Sequence, residues 1–393
     1  MDRFECLQQE LARRCPDLEV RAGEPMSRHT SFRIGGPARL MALPRTEEEA
    51  RETLQAAWTL EIPPFFLGNG SNLLVADRGY EGFVVKPAGA LEEIRALPPE
   101  RPGEKGRLEA GGAALLSRLS KAALDQGLTG LEFAQGIPGS VGGGVTMNAG
   151  AYGGETAQVL LQVTALERDG TQRLLSGADC GLSYRHSRFS EGDLLICRAV
   201  FALPEGNREE IAGRMADFAQ RRREKQPLEY PSAGSTFKRP QGHFAAALID
   251  QCGLKGRAVG GAQVSEKHAG FLINRGGATC ADVLELADQV RQEVLTFRPR
   301  FSLFIGENCV GQLRKEFALF KPVFTLDCNG WEIEGNFWEW DYRVTEGSRI
   351  VMTVSKELFH WTDTYQMDIA DPRDALLCLM IVLAIDAEKC SRN

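Results

Sequence analysis

Four stretches of this 393-residue chain carry residue types that could do chemistry. Two are rich in glycine: LGNGSNLLV, from Leu67 to Val75, and GIPGSVGGGVTMNAGAYGG, from Gly136 to Gly154. Glycine tolerates positive φ and lets successive backbone amides point into one concavity, and such a nest binds phosphate oxygens without a formal charge. Ser71, Asn72, Ser140 and Asn148 add side-chain donors. Neither segment holds the GK[ST] of a nucleoside-triphosphate loop or a clean GxGxxG between strand and helix, so a Rossmann domain is not supported. A pair of tight structural turns is the plainer reading, but turns rarely need this much glycine with interleaved amide side chains. Two separate nests suit a dinucleotide diphosphate held across a cleft between two small subdomains. The third stretch, YPSAGSTFKRP, sets Ser235 behind a flexible Ala-Gly and ahead of an aromatic, a lysine and an arginine. A serine in such a loop is more often a turn residue than a catalyst, and the missing GxSxG elbow argues against a hydrolase triad. The fourth, SYRHSRF, gathers Tyr184, Arg185, His186 and Arg188; taken alone it reads as an exposed basic turn.

These residues need elements to hold them. The N-terminal MDRFECLQQELARRCPD reads as an amphipathic helix, and PFFLGNGSNLLV as strand, tight loop, strand. ALLSRLSKAALDQG is a helix whose Gly127 can take the left-handed conformation at its end, and HFAAALIDQCG stops on Gly253 in the same way. Thr279-x-x-Asp282 resembles a capping box, opening a helix with Val283, Leu286, Ala287, Val290 and Val294 on one face. Further on the period changes: Trp338, Trp340, Tyr342 and Val344 alternate with Glu339, Asp341 and Arg343, as in a half-buried strand. Composition shifts at the same place. Only five of 42 glycines lie beyond residue 290, whereas four of five tryptophans do, which sets a domain boundary near there. The upstream part reads as α+β and the downstream part as mostly β with one apolar helix at its end.

Bulk properties exclude several classes. A hydrophobic fraction of 43% and a charged fraction of 25% are those of a globular protein. The net charge of −7 argues against a general nucleic-acid binder. Arg221, Arg222, Arg223 and Lys225 form the one basic run, expected to be a solvated helix end, with a phosphate contact as the sharper alternative. Ten cysteines without a CxxC pair and five scattered histidines give no metal-site spacing. Free thiols, no signal-peptide pattern, and a longest apolar run (Ala375 to Ile385) too short for a membrane span lead to the expectation of a cytoplasmic protein.

Together, TSFRIGGPA (Thr30 to Ala38), GNGSNLL, GIPGSVGGGVTMNAGAYGG, YRHSRF, AGSTFKRP and GGAQVSEKHAGFLIN (Gly260 to Asn274) resemble, in this order, the UDP-N-acetylenolpyruvoylglucosamine reductase (MurB) family. The resemblance runs from the first helix to about Val290. It implies a two-subdomain FAD-binding region of vanillyl-alcohol-oxidase (PCMH) type over residues 1–200 and an α+β substrate domain over 201–291. It also implies FAD and NADPH as cofactors and UDP-N-acetylglucosamine enolpyruvate as substrate, reduced to UDP-N-acetylmuramate. The cofactor contacts expected are Gly68, Asn69, Gly70, Ser71, Asn72 and Leu73 in the first loop. In the second they are Gly136, Ile137, Pro138, Gly139, Ser140, Gly142, Gly143, Asn148, Gly150 and Ala151. Hydride addition to the enolpyruvyl β-carbon leaves electron density on the α-carbon and carboxylate, so a cation and a proton donor are both wanted there. By motif match Arg185 would hold that charge and Ser235 would deliver the proton, with Tyr184 and Lys238 touching substrate. Arg239 stands where many relatives carry Asn.

The family's third catalytic group is a glutamate in a segment resembling GVxLEPEIRxIG, which should follow ADQVRQEVLT and fall near Ile305. FRPRFSLFIG stands there instead, and Glu307 is the only nearby carboxylate. From about Glu293 onward the chain resembles the second half of a LURP-one-related protein, a family that forms a closed antiparallel barrel around an apolar C-terminal helix. Residues 292–393 are therefore expected to be a partial antiparallel barrel with open edges, its partner unspecified. RQEVLT suits both parents, as a junction at a shared short sequence would. Two rival functions remain: another flavin oxidoreductase of the same superfold, and a non-enzymatic flavin- or UDP-sugar-binding protein.

Overall fold

The computed structural model describes residues 2–98, 105–240, 244–296, 300–305, 308–316, 323–327, 330–336, 341–356 and 365–390. Its helices are α1 (Arg3–Arg14), α2 (Glu47–Thr59), α3 (Leu116–Asp125), α4 (Val141–Thr146), α5 (Arg208–Lys225), α6 (Ala245–Gln251), α7 (Cys280–Thr296) and α8 (Ala375–Cys390). The chain divides into two compact units. The first comprises residues 1–238 and 253–289, the second 239–252 and 290–393.

The first unit holds three sheets. A mixed sheet takes strands Glu19–Pro25, Pro37–Leu43, Tyr80–Val85 and Pro64–Phe66, side by side in that order. Its first pair is antiparallel and the other two are parallel. α1 starts in a capping box between Asp2 and Glu5, and buries Leu7 and Leu11. α2 starts on Thr46, whose hydroxyl accepts from the Glu49 amide, and buries Leu54 against Phe83 and Val85. A five-stranded antiparallel sheet takes Gln172–Ser176, Leu160–Glu167, Leu194–Leu203, Gly106–Gly111 and Ile94–Leu97 in that order. Its central strand is apolar along nearly its whole length because both faces are covered: Phe201 joins Leu119, Val141 and Val145 of α3 and α4, and Leu195 and Cys197 join Leu54 of α2 on the other side. Gly127 (φ 68°) ends α3 as expected. The third sheet is antiparallel, in the order Ser232–Ser235, Phe271–Asn274, Ala262–Val264, Ala258–Val259. α7 follows it from the reciprocal Thr279–Asp282 cap, with bonds of 2.9 and 3.1 Å, and buries Val283, Leu286 and Val290.

Two local expectations need correction. Leu73–Val75 is not a strand: the chain from Leu67 to Gly79 is a long loop, and the next strand begins at Tyr80. Apolar character at Leu73 and Val75 serves packing against Met26, Met41 and Val84, not sheet pairing. Arg222 is not a solvated helix end but is buried, because it follows Ile211 and Met215 along α5 by almost whole numbers of helical turns and so shares their face.

In the second unit seven strands form one antiparallel meander in sequence order: Arg300–Ile305, Asn308–Glu316, Val323–Leu326, Trp331–Asn336, Asp341–Glu346, Arg349–Lys356 and Tyr365–Ile369. α8 buries Cys378, Ile381 and Ile385 against Ile333, Val344 and Val354. Tyr342 and Val344 face inward and Asp341 and Arg343 outward, as their alternation required; Trp338, Glu339 and Trp340 lie outside the described residues. First and last strands are not paired with each other among the described residues, so the sheet is an open, partial barrel.

Candidate active site

The long loop and the second glycine segment come together in the first unit. Asn69 Nδ2 donates to the Pro138 carbonyl, and a methyl placed on Gly68 would collide with Ser140 Oγ. Gly70 sits at φ +62°, and its α-carbon backs onto the His29 carbonyl so tightly that no side chain fits. Among the described residues, none of the amides from Gly68 to Leu73 donates to a protein acceptor. The amides of Gly136, Gly139 and Ser140 are likewise unpaired among the described residues. Unpaired donors on two facing loops are what an anionic ligand would satisfy.

Parts of the second segment do something else. Ser140 caps α4, and its Oγ accepts from the Gly143 amide at 3.2 Å. Gly142 donates to the Gly112 carbonyl at 2.8 Å, and Ile137 to Ala134. The amides expected as donors at Ile137, Gly142 and Gly143 are therefore spent within the protein. Here glycine serves close approach of α4 to neighbouring backbone. Asn148 is a correction of the same kind. Its amide nitrogen donates to Glu155 (3.1 Å) and the Ser183 carbonyl (3.2 Å), and its oxygen accepts from Ala157. The side chain is fully committed, since a buried amide takes whatever partners its own fold supplies. Gly150 and Ala151 form a short ladder with Gly154 and Glu155, turned by Tyr152 (φ 53°) and Gly153 (φ 84°).

Arg185 occupies a tight turn closed by Ser183 and His186, in the left-handed region at φ 55°. Its guanidinium donates to the Asn148 carbonyl (3.3 Å) and the Gly150 carbonyl (3.2 Å), placing a fixed cation against the second glycine segment. Tyr184 beside it is 60% exposed. Ser235 is exposed at the end of its strand, across from Phe271, after Gly234 at φ +78° bulges the chain. Lys238, three residues on, is also exposed.

Two participants, Ser31 and Asp77, were not singled out individually in the sequence, and a third, Arg222, is placed otherwise than its basic run suggested. Ser31 stitches the site together: its amide donates to the Gly70 carbonyl (3.1 Å) and its hydroxyl to the Ser232 carbonyl (2.6 Å). Asp77, at the end of the first loop, accepts from the amides of Cys280 (2.7 Å) and Ala281 (3.1 Å) and so caps α7. Arg222 lies with its Nε unpaired, its guanidinium 5.3 Å from the Tyr152 ring and its stem against Gly136. Burial lowers its pKa, and no carboxylate pairs with it among the described residues. The TSFRIGG motif was the only available signal for Ser31, and the basic run, with a phosphate contact as its sharper alternative, was the signal for Arg222; Asp77 had none, because its partner is 203 positions away in sequence.

Residues 38–176, which carry the two facing loops, match the family described as FAD binding domain, and this sets the chain among the flavoproteins. Residues 226–298 match UDP-N-acetylenolpyruvoylglucosamine reductase, C-terminal domain, and residues 271–386 match LURP-one-related. The UDP-N-acetylenolpyruvoylglucosamine reductase of Clostridium botulinum strain Hall is 48% identical over 272 residues, 69% of this chain and 86% of that protein. That of Syntrophomonas wolfei is 48% identical over 271 residues, 88% of its length. The crystal structure of the Thermus caldophilus enzyme superposes with a TM-score of 0.60 at 36% identity, covering 70% of this chain and 95% of that one. The chain belongs to the UDP-N-acetylenolpyruvoylglucosamine reductase family, and it carries a LURP-one-related segment after it. That segment's match starts at residue 271, upstream of the expected 293, so the two families overlap across α7. No helix among the described residues is long and apolar enough to cross a membrane.

Proposed function

We propose that the chain works in the cytoplasm as an FAD- and NADPH-dependent reductase, converting UDP-N-acetylglucosamine enolpyruvate to UDP-N-acetylmuramate for peptidoglycan precursors. Residues 1–200 would be the flavin region, 201–291 the substrate domain and 292–393 a LURP-one-like half-barrel. The observation that carries the reading is the run of unpaired amides at Gly68–Leu73 opposite those of Gly139 and Ser140. The fit to a flavin dinucleotide is good, because the diphosphate needs donors without bulk and the glycines supply both. When bound, FAD supplies the hydride relay between NADPH and the enolpyruvyl double bond.

The protein's own groups do the rest. Gly68, Asn69, Gly70, Ser71, Asn72 and Leu73, with Gly136, Gly139 and Ser140, hold the diphosphate. Pro138 sets their spacing through Asn69, and Gly150 and Ala151 form the wall that orients Arg185. Arg185 neutralises charge gathering on the substrate carboxylate, at a position fixed by two carbonyls before substrate arrives. Ser235 gives its proton to the substrate α-carbon, being exposed at a strand end where a ligand can reach it. Tyr184 and Lys238 are exposed donors for the nucleotide-sugar portion. The buried Arg222 charge takes its compensating anion from a ligand. With no LEPE glutamate after α7, one source of intermediate stabilisation is lost, and turnover is slower than in a relative that has it.

The test is steady-state NADPH oxidation by the purified full chain, with and without the UDP substrate. The reading expects a yellow flavoprotein whose NADPH consumption requires the UDP substrate and lags behind a complete relative. Failure to take up FAD refutes it, and equal turnover refutes the impairment. NADPH consumption indifferent to the UDP substrate would instead support a different flavin oxidoreductase.

A further inference from the structure

Beneath the first glycine loop lies a buried cluster of titratable groups that the reaction above does not use. His29 Nε2 lies 2.9 Å from Glu24 Oε1, and its Nδ1 lies 3.0 Å from Lys86 Nζ. The side chains of His29 and Glu24 are only 8% and 10% exposed. An ammonium can only donate, so Nδ1 must accept; the ring is then neutral, with its proton on Nε2 pointing at Glu24. The other charges facing this group are Arg21, which donates to Glu24 (3.1 Å) and Glu19 (2.6 Å), and Glu92, which acts on Lys86.

What hangs from this cluster is the stitch across the site. The His29 carbonyl is the surface on which Gly70 rests, and the next residues run directly into it. Ser31 bonds Gly70 on one side and Ser232 on the other, and the Phe32 carbonyl accepts from Asn274 Nδ2 at 3.1 Å. The diphosphate loop and the strand bearing Ser235 are thus tied to one short segment, whose first residue is held by a ring that must stay neutral.

Resting on the flavin reading above, we propose that His29 is a positioning residue: neutral, it holds the FAD loop and the Ser235 strand in register, and protonated, it releases them. Protonation would set two cations side by side in a buried site, so the Lys86 bond must break. Burial holds the ring below the ordinary histidine range, Lys86 and Arg21 adding to this and Glu24 opposing it. Lys86 is itself lowered, first by burial and then by Arg21. The sign follows: the closed form has the depressed pKa, so it is favoured above the ordinary histidine range and lost as pH falls through and below it. Apparent FAD affinity falls with the closed fraction.

FAD titrations of the full chain at about pH 7.5 and about pH 5.5, followed by flavin fluorescence, test this, since the two conditions straddle the ordinary histidine pKa. The wild type should lose affinity several-fold at the lower pH, with about tenfold as the ceiling for one linked proton of ordinary histidine pKa across this interval. His29→Gln can donate to Glu24 and accept from Lys86 but cannot titrate; it should match the wild type at the higher pH and stay within about twofold at the lower one. Lys86→Met, which lets a protonated His29 pair with Glu24, should also flatten the profile, and it decides the matter if His29→Gln does not fold. Superimposable profiles for wild type and variants, or a wild type with no pH response, overturn the proposal while leaving the flavin reading intact. No FAD uptake even at the higher pH overturns both.

Discussion

Substituting Gly139 by alanine separates a cofactor contact from a structural one. Gly139 does not sit at positive φ, and a methyl there would meet nothing closer than Leu116 Cδ1 at 3.5 Å and Ser71 Oγ at 3.7 Å, which is ordinary packing distance. The protein alone tolerates it, and the reduced freedom of the unfolded chain should stabilise the fold by about 0.4–1 kcal/mol. For a unit of this size that is a rise in Tm of roughly 1–4 °C. The methyl nevertheless projects between the two loops, beside Ser71, where the diphosphate is placed. Losing one hydrogen bond to a charged group costs about 1.5–3 kcal/mol. That corresponds to a rise in FAD Kd of roughly 10- to 150-fold. Gly213→Ala is the control: it lies in α5, a methyl there meets nothing within 4 Å, and it should gain about 1 kcal/mol of stability with FAD affinity untouched. Thermal melts of the apoprotein and FAD titrations measure both quantities. A Gly139→Ala protein that keeps FAD affinity within about twofold would show that this loop pair does not hold the diphosphate, as would one whose lost affinity tracks lost stability.

Three further outcomes follow from the same geometry. Ser235→Ala should leave reduction of bound FAD by NADPH unchanged while slowing substrate reduction by about 10²–10⁴-fold in stopped flow, the usual weight of a positioned proton donor. Arg185→Lys keeps the charge but cannot bridge the Asn148 and Gly150 carbonyls at once; kcat should fall by about 10²-fold with FAD still bound, and unchanged kcat would remove Arg185 from the reaction. Asp77→Ala removes the acceptor for two amides of α7 and should cost about 1 kcal/mol in denaturant melts, whereas a neutral result would show that water replaces it.

The glycine segments, the Arg185 turn, the end of α3 at Gly127 and the helix start at Thr279 were legible because each is a local matter. A cap, a turn or a positive-φ position is decided by residues within four or five of one another. The mostly β character of the second unit and its apolar last helix were legible through alternation at Tyr342 and Val344 and the unbroken apolar run of α8, whereas the open partial barrel followed from the family resemblance. What only the tertiary structure decided is how donors are allotted. Gly142 has the same chemistry as Gly139, yet its amide is consumed by Gly112 while that of Gly139 stays open, and the Asn148 side chain is taken by Glu155, Ser183 and Ala157. Arg222, one of three arginines in a row, becomes a buried cation with no carboxylate partner among the described residues only because α5 turns it toward Gly136 and Tyr152. Ser31, Asp77 and the Glu24–His29–Lys86 relay likewise depend on partners far along the chain. A sequence lists which groups can bond; which bonds form is settled by which surfaces the fold has already closed.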